Sequence, residues 1–257
     1  MECDFLIIGQ GIAGSTLALE LMKRRSKVLV VDRGDPGSSS RVAAGLVTPL
    51  TGKGLNAVWR QREYLPIAEQ FYQDLEKRTG EKVYYTTEVR RLLRTEAEET
   101  KWQKKVETHA EWGSLVETSK DDLDLGHGVI SMPRGAWLDT KKLIEVIRKE
   151  LEREGAFYEA DFCEGDVTFH SEGCQWQHVT AKKIILCQGA YGLGNGGWFG
   201  DVAHRCAKGE ILTLKIEGLK GDKRYHADGW LAAREDGTWK AGAVSYTHLT
   251  LPTILLV

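Results

Sequence analysis

Residues 4–32, DFLIIGQGIAGSTLALELMKRRSKVLVVD, leave few folds open. Two short apolar runs, DFLII over 4–8 and VLVVD over 28–32, are separated by a helical stretch over 12–24 that ends at KRRS. Strand, helix and strand within about 30 residues form a βαβ unit, and the two strands of such a unit must run parallel. Runs of continuous Val, Ile and Leu suit strands buried on both faces. The expected class is therefore α/β with a Rossmann-like sheet.

The turn between the first strand and the helix is GQGIAG, Gly9 to Gly14, a GxGxxG pattern. On its own the pattern is weak in a chain with 28 glycines. Its position, after a strand and opening a helix, makes it specific for a dinucleotide. Gly9 allows the sharp turn, and Gly11 removes a side chain where a pyrophosphate must approach. Gly14 and Ala18 let the helix lie close to the sheet. Ile12 and Ala13 belong to the first turn, whose unpaired N–H groups and helix dipole attract phosphate. Asp32 ends the second strand and can accept the hydroxyls of an adenosine ribose. Arg33 follows it; a 2′-phosphate would suit that arginine, and an exposed surface residue is the simpler reading.

Three features favour FAD over NAD. SSSRVAAGLVTP, residues 38–49, is small and apolar enough to lie against a planar ligand, and offers Ser39, Ser40 and Arg41 to a phosphate. TAKKIILCQGA, residues 180–190, reads as a buried strand returning to the nucleotide sheet after two short strands near 165–170 and 174–179. Val167 is expected near the adenine and Gly189 near the cofactor. The third feature is a β-rich second domain interleaved with the first. Residues 62–79 have helical spacing, 82–94 read as strands, and 95–127 are charged and mixed, with room for a short helix. Residues 129–138 return to strand, and 208–217 and 230–242 are further strands. A helix over 140–154 has Asp139 as N-cap, an apolar face of Leu143, Val146, Ile147 and Leu151, and Gly155 at its end. The expected division is 1–80 with 139–203 for the nucleotide domain and 81–138 with 204–243 for a β-rich α+β substrate domain.

Composition narrows the partners. A net charge of −2 with interspersed acids and bases gives no footprint for nucleic acid. Five cysteines without a CxxC pair and seven scattered histidines predict reduced thiols and no metal site. No apolar run reaches 18 residues and no signal peptide is visible, so the expected location is the cytoplasm.

DFLIIGQGIAGSTLALEL, VLVVDRG…SSSRVAAGLVTP, GAWLDTKKLIEVIRKELEREGA and IILCQGA…KGEILTL together resemble the D-amino-acid oxidase/glycine oxidase superfamily of FAD-dependent oxidoreductases. AAGLVTP and GAWLDT are the more specific parts. The resemblance implies hydride transfer from an amine or small amino acid to flavin N5, with Ala44, Gly45 and Leu46 bordering the isoalloxazine. It also implies an arginine and often a tyrosine for the substrate carboxylate. Arg205, Lys208, Arg224 and Tyr225 lie in the right region, and no motif chooses among them. Residues 38–49 contain no His or Cys, so non-covalent FAD is expected. Two alternatives stay open: a flavin- or dinucleotide-binding protein without catalysis, and an NAD-linked dehydrogenase.

The end of the chain is unlike the rest. Members of the superfamily continue past this point with a further FAD-contacting piece, and nothing like it follows Ala243. VSYTHLTLPT, Val244 to Thr253, is what translation of a transposon-library sequencing adapter yields. Residues 244–257 are therefore expected to be a non-native tail on a C-terminally truncated chain.

Overall fold

A computed structural model describes residues 1–51, 56–108, 116–119, 127–193, 197–202, 209–227 and 229–245. Along the chain these form β1 (Glu2–Ile8), α1 (Ile12–Lys23), β2 (Val28–Asp32), a single helical turn α2 (Ser39–Val42), and three two-residue strands, β3 (Leu46–Val47), β4 (Leu50–Thr51) and β5 (Asn56–Ala57). Next come α3 (Gln61–Thr79), β6 (Tyr84–Thr86), β7 (Glu88–Leu93), α4 (Glu96–Thr108), β8 (Glu117–Ser119), β9 (Gly128–Met132), β10 (Ala136–Leu138) and α5 (Thr140–Arg153). The remainder is β11 (Phe157–Glu159), β12 (Val167–His170), β13 (Gly173–Trp176), β14 (Val179–Leu186), β15 (Gly209–Leu214), β16 (Lys223–His226), β17 (Trp230–Ala233) and β18 (Trp239–Ser245).

The chain divides into two compact units. The first comprises Met1–Ala43, Thr79–Val83 and Asp139–Cys206; the second comprises Ala44–Arg78, Tyr84–Leu138 and Ala207–Val257. In the first unit one six-stranded sheet has the order β11-β2-β1-β14-β13-β12. β11, β2, β1 and β14 are parallel, and β14, β13 and β12 form an antiparallel meander. Leu6, Ile8, Leu29, Val31, Trp176 and Val179 bury one face of this sheet. α5 is held at its start by the Asp139 carboxylate, which accepts the Lys142 N–H at 3.1 Å, and buries Leu143, Val146, Ile147 and Leu151 as their spacing predicts.

The second unit holds a seven-stranded sheet, β15-β18-β17-β16-β7-β9-β8, a three-stranded sheet β3-β10-β6, and the β4-β5 pair. α4, longer than the charged sequence suggested, places Trp102 in a core with Leu50, Val89, Leu93, Ile130 and Met132. Residues 44–78, assigned from sequence to the nucleotide domain, cluster with the second unit. α3 supplies the reason: Tyr72 stacks on Tyr84 at 5.3 Å, Glu69 accepts the Tyr84 hydroxyl, and Glu76 accepts the Tyr84 N–H. β18 carries Val244 and Ser245 into register with Glu210 and Gly209, two residues into the stretch expected to be foreign. Ladder bonds are made by backbone groups and ask little of side-chain identity. Residues 246–257 lie outside the described residues. No described helix is long and apolar enough to cross a membrane.

Candidate cofactor site

β1 lies between β2 and β14, and the chain turns sharply where it ends. Gly9 makes the turn with φ +102°, a conformation that side chains resist, and a Cβ there would overlap the Cys187 carbonyl. The Gly9 N–H donates to Val31 O at 2.8 Å, and the Cys187 N–H donates to Ile8 O at 2.7 Å, so the three strand ends are laced together. A Cβ on Gly14 would collide with the Gly9 carbonyl, which is how closely α1 lies on the turn.

α1 has Gly11 at its N-cap and no capping side chain, so its first N–H groups open outward. One of them has a partner: Ile12 N–H donates to Ser40 Oγ at 3.1 Å. A Cβ on Gly11 would stand 3.0 Å from that hydroxyl. Ser40 reaches this position because residues 39–42, expected to be loop, form the short turn α2. A neutral hydroxyl thus sits where the helix end attracts an anion.

Asp32 is held from two sides. Its Oδ2 accepts the Gln10 N–H at 2.7 Å and its Oδ1 accepts the Gly34 N–H at 2.7 Å. The Gln10 side chain is buried; its Nε2 donates to Ile144 O at 3.0 Å and its Oε1 accepts Arg148 Nε at 2.6 Å. Arg148, on α5, lies 3.5 Å over the Phe157 ring, with one terminal nitrogen 3.6 Å from Asp32 Oδ1. Burial lowers the Arg148 pKa, and Asp32 opposes that shift. The middle of the GxGxxG turn is therefore pinned to α5, a link that no motif announces.

These elements enclose a cavity of about 140 Å³ inside the first unit. Of the residues singled out in the sequence, Gly9, Gly11, Asp32, Arg33, Ser39, Ser40 and Gly189 line it together. Ile12, Ala13 and Gly14 form the first turn of α1 behind that wall, and Arg41 sits on α2, off the wall. Val167 lies off this wall: it starts β12, pairs with Trp176 and packs on the sheet's apolar cluster, while Ala160, Asp161 and Phe162 line the cavity. The chain reaches the cavity directly after β11, before the short 3-10 turn that leads into β12. Asp35, Ser38, Gln188 and Tyr191 were also missed. The signal for all of them is position: each follows the carboxyl end of β2, β11 or β14, where doubly wound sheets bind ligands. Cys187 lines the cavity as well, and burial raises its thiol pKa, which keeps it a poor nucleophile.

Ala44, Gly45 and Leu46 belong to the second unit. The Ala44 carbonyl accepts Trp137 Nε1–H at 3.0 Å, the Gly45 carbonyl accepts the Leu138 N–H at 2.8 Å, and Leu46 pairs with Trp137. In the same unit Arg224 is buried, and its Nε has no hydrogen-bond partner among the described residues. One terminal nitrogen donates to the Gly221 and Lys223 carbonyls, and the guanidinium lies 5.7 Å from the Trp137 ring. Burial and the nearby Arg234 lower its pKa. Tyr225 neighbours Trp239 at 6.4 Å; Arg205 and Lys208 lie outside the described residues. His226 is pushed down in pKa by burial, then by Arg91, whose terminal nitrogen is 3.4 Å from Nδ1. Among the described residues no group of three or more His, Cys, Asp or Glu could hold a metal.

The site fits the adenosine diphosphate end of FAD: a helix end with glycine at its N-cap, faced by the Ser40 hydroxyl, and a carboxylate for the ribose. The chain matches the family described as "DAO: FAD dependent oxidoreductase" over residues 4–251. It is 35% identical over 85 residues to an uncharacterized oxidoreductase, YurR, of Bacillus subtilis, a stretch covering 31% of this chain and 23% of that protein. It is 34% identical over 85 residues to the bifunctional protein ThiO/ThiG of Trichormus variabilis, covering 31% of this chain and 13% of that one. These matches thus span less than a quarter of either relative. Among solved structures it is similar to glycine oxidase from Geobacillus kaustophilus, with TM-score 0.78 and 17% identity, covering 95% of this chain and 71% of that one. It is also similar to iminodiacetate oxidase from Chelativorans sp. BNC1, with TM-score 0.73 and 19% identity, covering 98% and 74%. With the parallel sheet, the GxGxxG turn and the family match in agreement, this chain belongs to the DAO family of FAD-dependent oxidoreductases.

Proposed function

We propose that this chain is the cofactor-holding part of an enzyme that oxidises an amine or small amino acid, with FAD bound non-covalently. The observation that carries the reading is the first unit's cavity, where the bare N-terminus of α1 and the doubly anchored Asp32 carboxylate face one space. In this reading the Gly11 and Ile12 N–H groups, with Ser39, Ser40 and Arg41, hold the pyrophosphate. Ser40 exchanges its bond from Ile12 for a phosphate oxygen. Asp32 accepts the ribose hydroxyls while keeping the Gln10 and Gly34 N–H groups. Ala160 and Phe162 give the adenosine an apolar wall.

When bound, FAD supplies a two-electron acceptor, N5, for the hydride leaving the substrate's α-carbon. Ala44, Gly45 and Leu46 are assigned to the flavin ring. Arg224 is assigned to the substrate carboxylate, because its buried guanidinium has an Nε without a partner among the described residues, and the nearby Arg234 outweighs Asp222 in lowering its pKa.

The test is to purify the 257-residue chain and measure flavin absorbance per chain, then follow anaerobic flavin bleaching with a panel of D- and L-amino acids. Flavin binding at an occupancy below one per chain is expected, and any bleaching should come from an amine or amino acid. Arg224→Gln should raise the substrate concentration needed for bleaching while flavin content holds. A chain stabilised by NAD and not by FAD refutes the reading, since a ligand raises the melting temperature only of the fold that binds it.

A further inference from the structure

In the first unit the carboxyl ends of β2 and β14 flank that of β1, and the loops leaving them form opposite walls of the crevice above Gly9. Three side chains join those walls. Tyr191, after β14, donates its hydroxyl to Asp35 Oδ2 at 2.6 Å. Arg33, after β2, places its guanidinium 4.3 Å from the centroid of the Tyr191 ring and 3.4 Å from Asp35 Oδ2. All three line the cavity, yet Tyr191 is 54% exposed, so the set spans the cavity mouth and contributes nothing to the core.

Exposed ion pairs and cation–π contacts add little to folding stability. An aromatic ring held in the open between two loops therefore calls for a role other than packing. We propose that Tyr191, tied to Asp35 and backed by Arg33, is a strap that closes the adenosine half of FAD into the crevice and sets how fast the cofactor leaves. The proposal rests on the FAD reading above. For a dinucleotide to pass between the loops, the Tyr191–Asp35 bond must break and the ring must slide off Arg33. Both contacts are present in the ligand-free chain and re-form behind the ligand, so breaking them is part of the barrier to release as well as to entry, and the release rate reads it directly.

The strap is built for neutral solution. The Asp35 carboxyl is held below its usual range by the Tyr191 hydroxyl, then by the Gly37 N–H and Arg33. The same bond raises the Tyr191 hydroxyl pKa, so the phenol stays protonated and able to donate.

The experiment compares the full chain with Tyr191→Ala and Tyr191→Phe, using FAD and ADP as separate probes. Release rates come from stopped-flow dilution or displacement, and ligand-free melting temperature is the control. Losing one charge-assisted hydrogen bond and one cation–π contact at an exposed site should speed release of both probes about tenfold in Tyr191→Ala. Tyr191→Phe keeps the ring under Arg33 and should speed it about threefold. The ligand-free melting temperature should be unchanged in both. If the wild-type chain binds both probes and Tyr191→Ala releases them at the wild-type rate, the strap is refuted and the site stands. A lowered ligand-free melting temperature that accounts for the faster release also refutes it, by making Tyr191 structural. If the wild-type chain binds neither FAD nor ADP, the reading of the cavity itself fails, and the strap with it.

Discussion

Replacing Asp32 by Asn is a sharp test of the site because it changes one atom and no volume. Both carboxylate oxygens of Asp32 accept backbone N–H groups, from Gln10 and from Gly34, each at 2.7 Å. An asparagine has one acceptor and one donor at its tip, so one of these N–H groups must face an NH2. A hydrogen bond to a charged acceptor contributes about 1.5–3 kcal/mol, and leaving a donor unpaired costs a similar amount. The pair with Arg148 adds less, because Asp32 is partly open to water and the 3.6 Å separation is beyond hydrogen-bond reach. Asp32→Asn should therefore destabilise the ligand-free chain by about 2 kcal/mol, a drop of several degrees in melting temperature. FAD affinity should fall by at least about tenfold more, through weaker acceptance of the ribose hydroxyls. Calorimetry of the ligand-free chain and flavin titration separate the two effects. Adding Arg148→Met in the Asp32→Asn background should cost less than Arg148→Met alone, as expected for two groups that share a contact. An Asp32→Asn chain with wild-type melting temperature and wild-type FAD affinity would show that the turn does not depend on this carboxylate.

Gly14→Val should prevent α1 from seating on the turn, since even a Cβ would meet the Gly9 carbonyl; loss of soluble protein or of flavin binding is the expected readout, and a well-folded yellow product would contradict it. His226 should make stability pH-dependent. Its folded pKa lies below the unfolded value of about 6.5, so the unfolded chain takes up more protons and stability is lost as pH falls from about 6.5 toward the folded pKa. His226→Gln should flatten the slope of melting temperature against pH in that window. Cys3, pushed up to about 11 chiefly by burial, and Cys187, also raised by burial, should resist alkylation at pH 7 in the folded chain, whereas exposed Cys163 should label before either in a mass-spectrometric time course.

The readable part of the molecule is the part where one local pattern has one physical solution. GQGIAG between two apolar strands forces the Gly9 turn, and Asp139 followed by a spaced apolar face forces α5. The unreadable part depends on partners distant in sequence. Gln10 looks like a free position of the motif and is buried because Ile144 and Arg148, more than 130 residues on, receive its side chain. Tyr191 gives no sign in its own segment that Arg33 and Asp35 lie across from it. Residues 44–78 follow the nucleotide motif directly, so contiguity assigns them to that domain; the Tyr72–Tyr84 stack places α3 elsewhere. Two-residue strands such as β3 and β4 are too short to show a period at all.

The interleaving of the two units has a consequence for synthesis. β1 is made long before its neighbour β14, which begins at Val179, and the other flank, β2, closes only one side. At about 5–20 residues per second, roughly ten to thirty seconds pass before β14 can be made. Throughout that interval the nascent chain offers Leu6, Ile7 and Ile8 along an unpaired strand edge, the kind of edge that recruits other chains. The cofactor crevice cannot form earlier either, because Gly189 and Tyr191 follow β14. A cell making this protein must therefore shield that hydrophobic edge until β14 emerges, and flavin can act as a folding ligand only at the end of that wait.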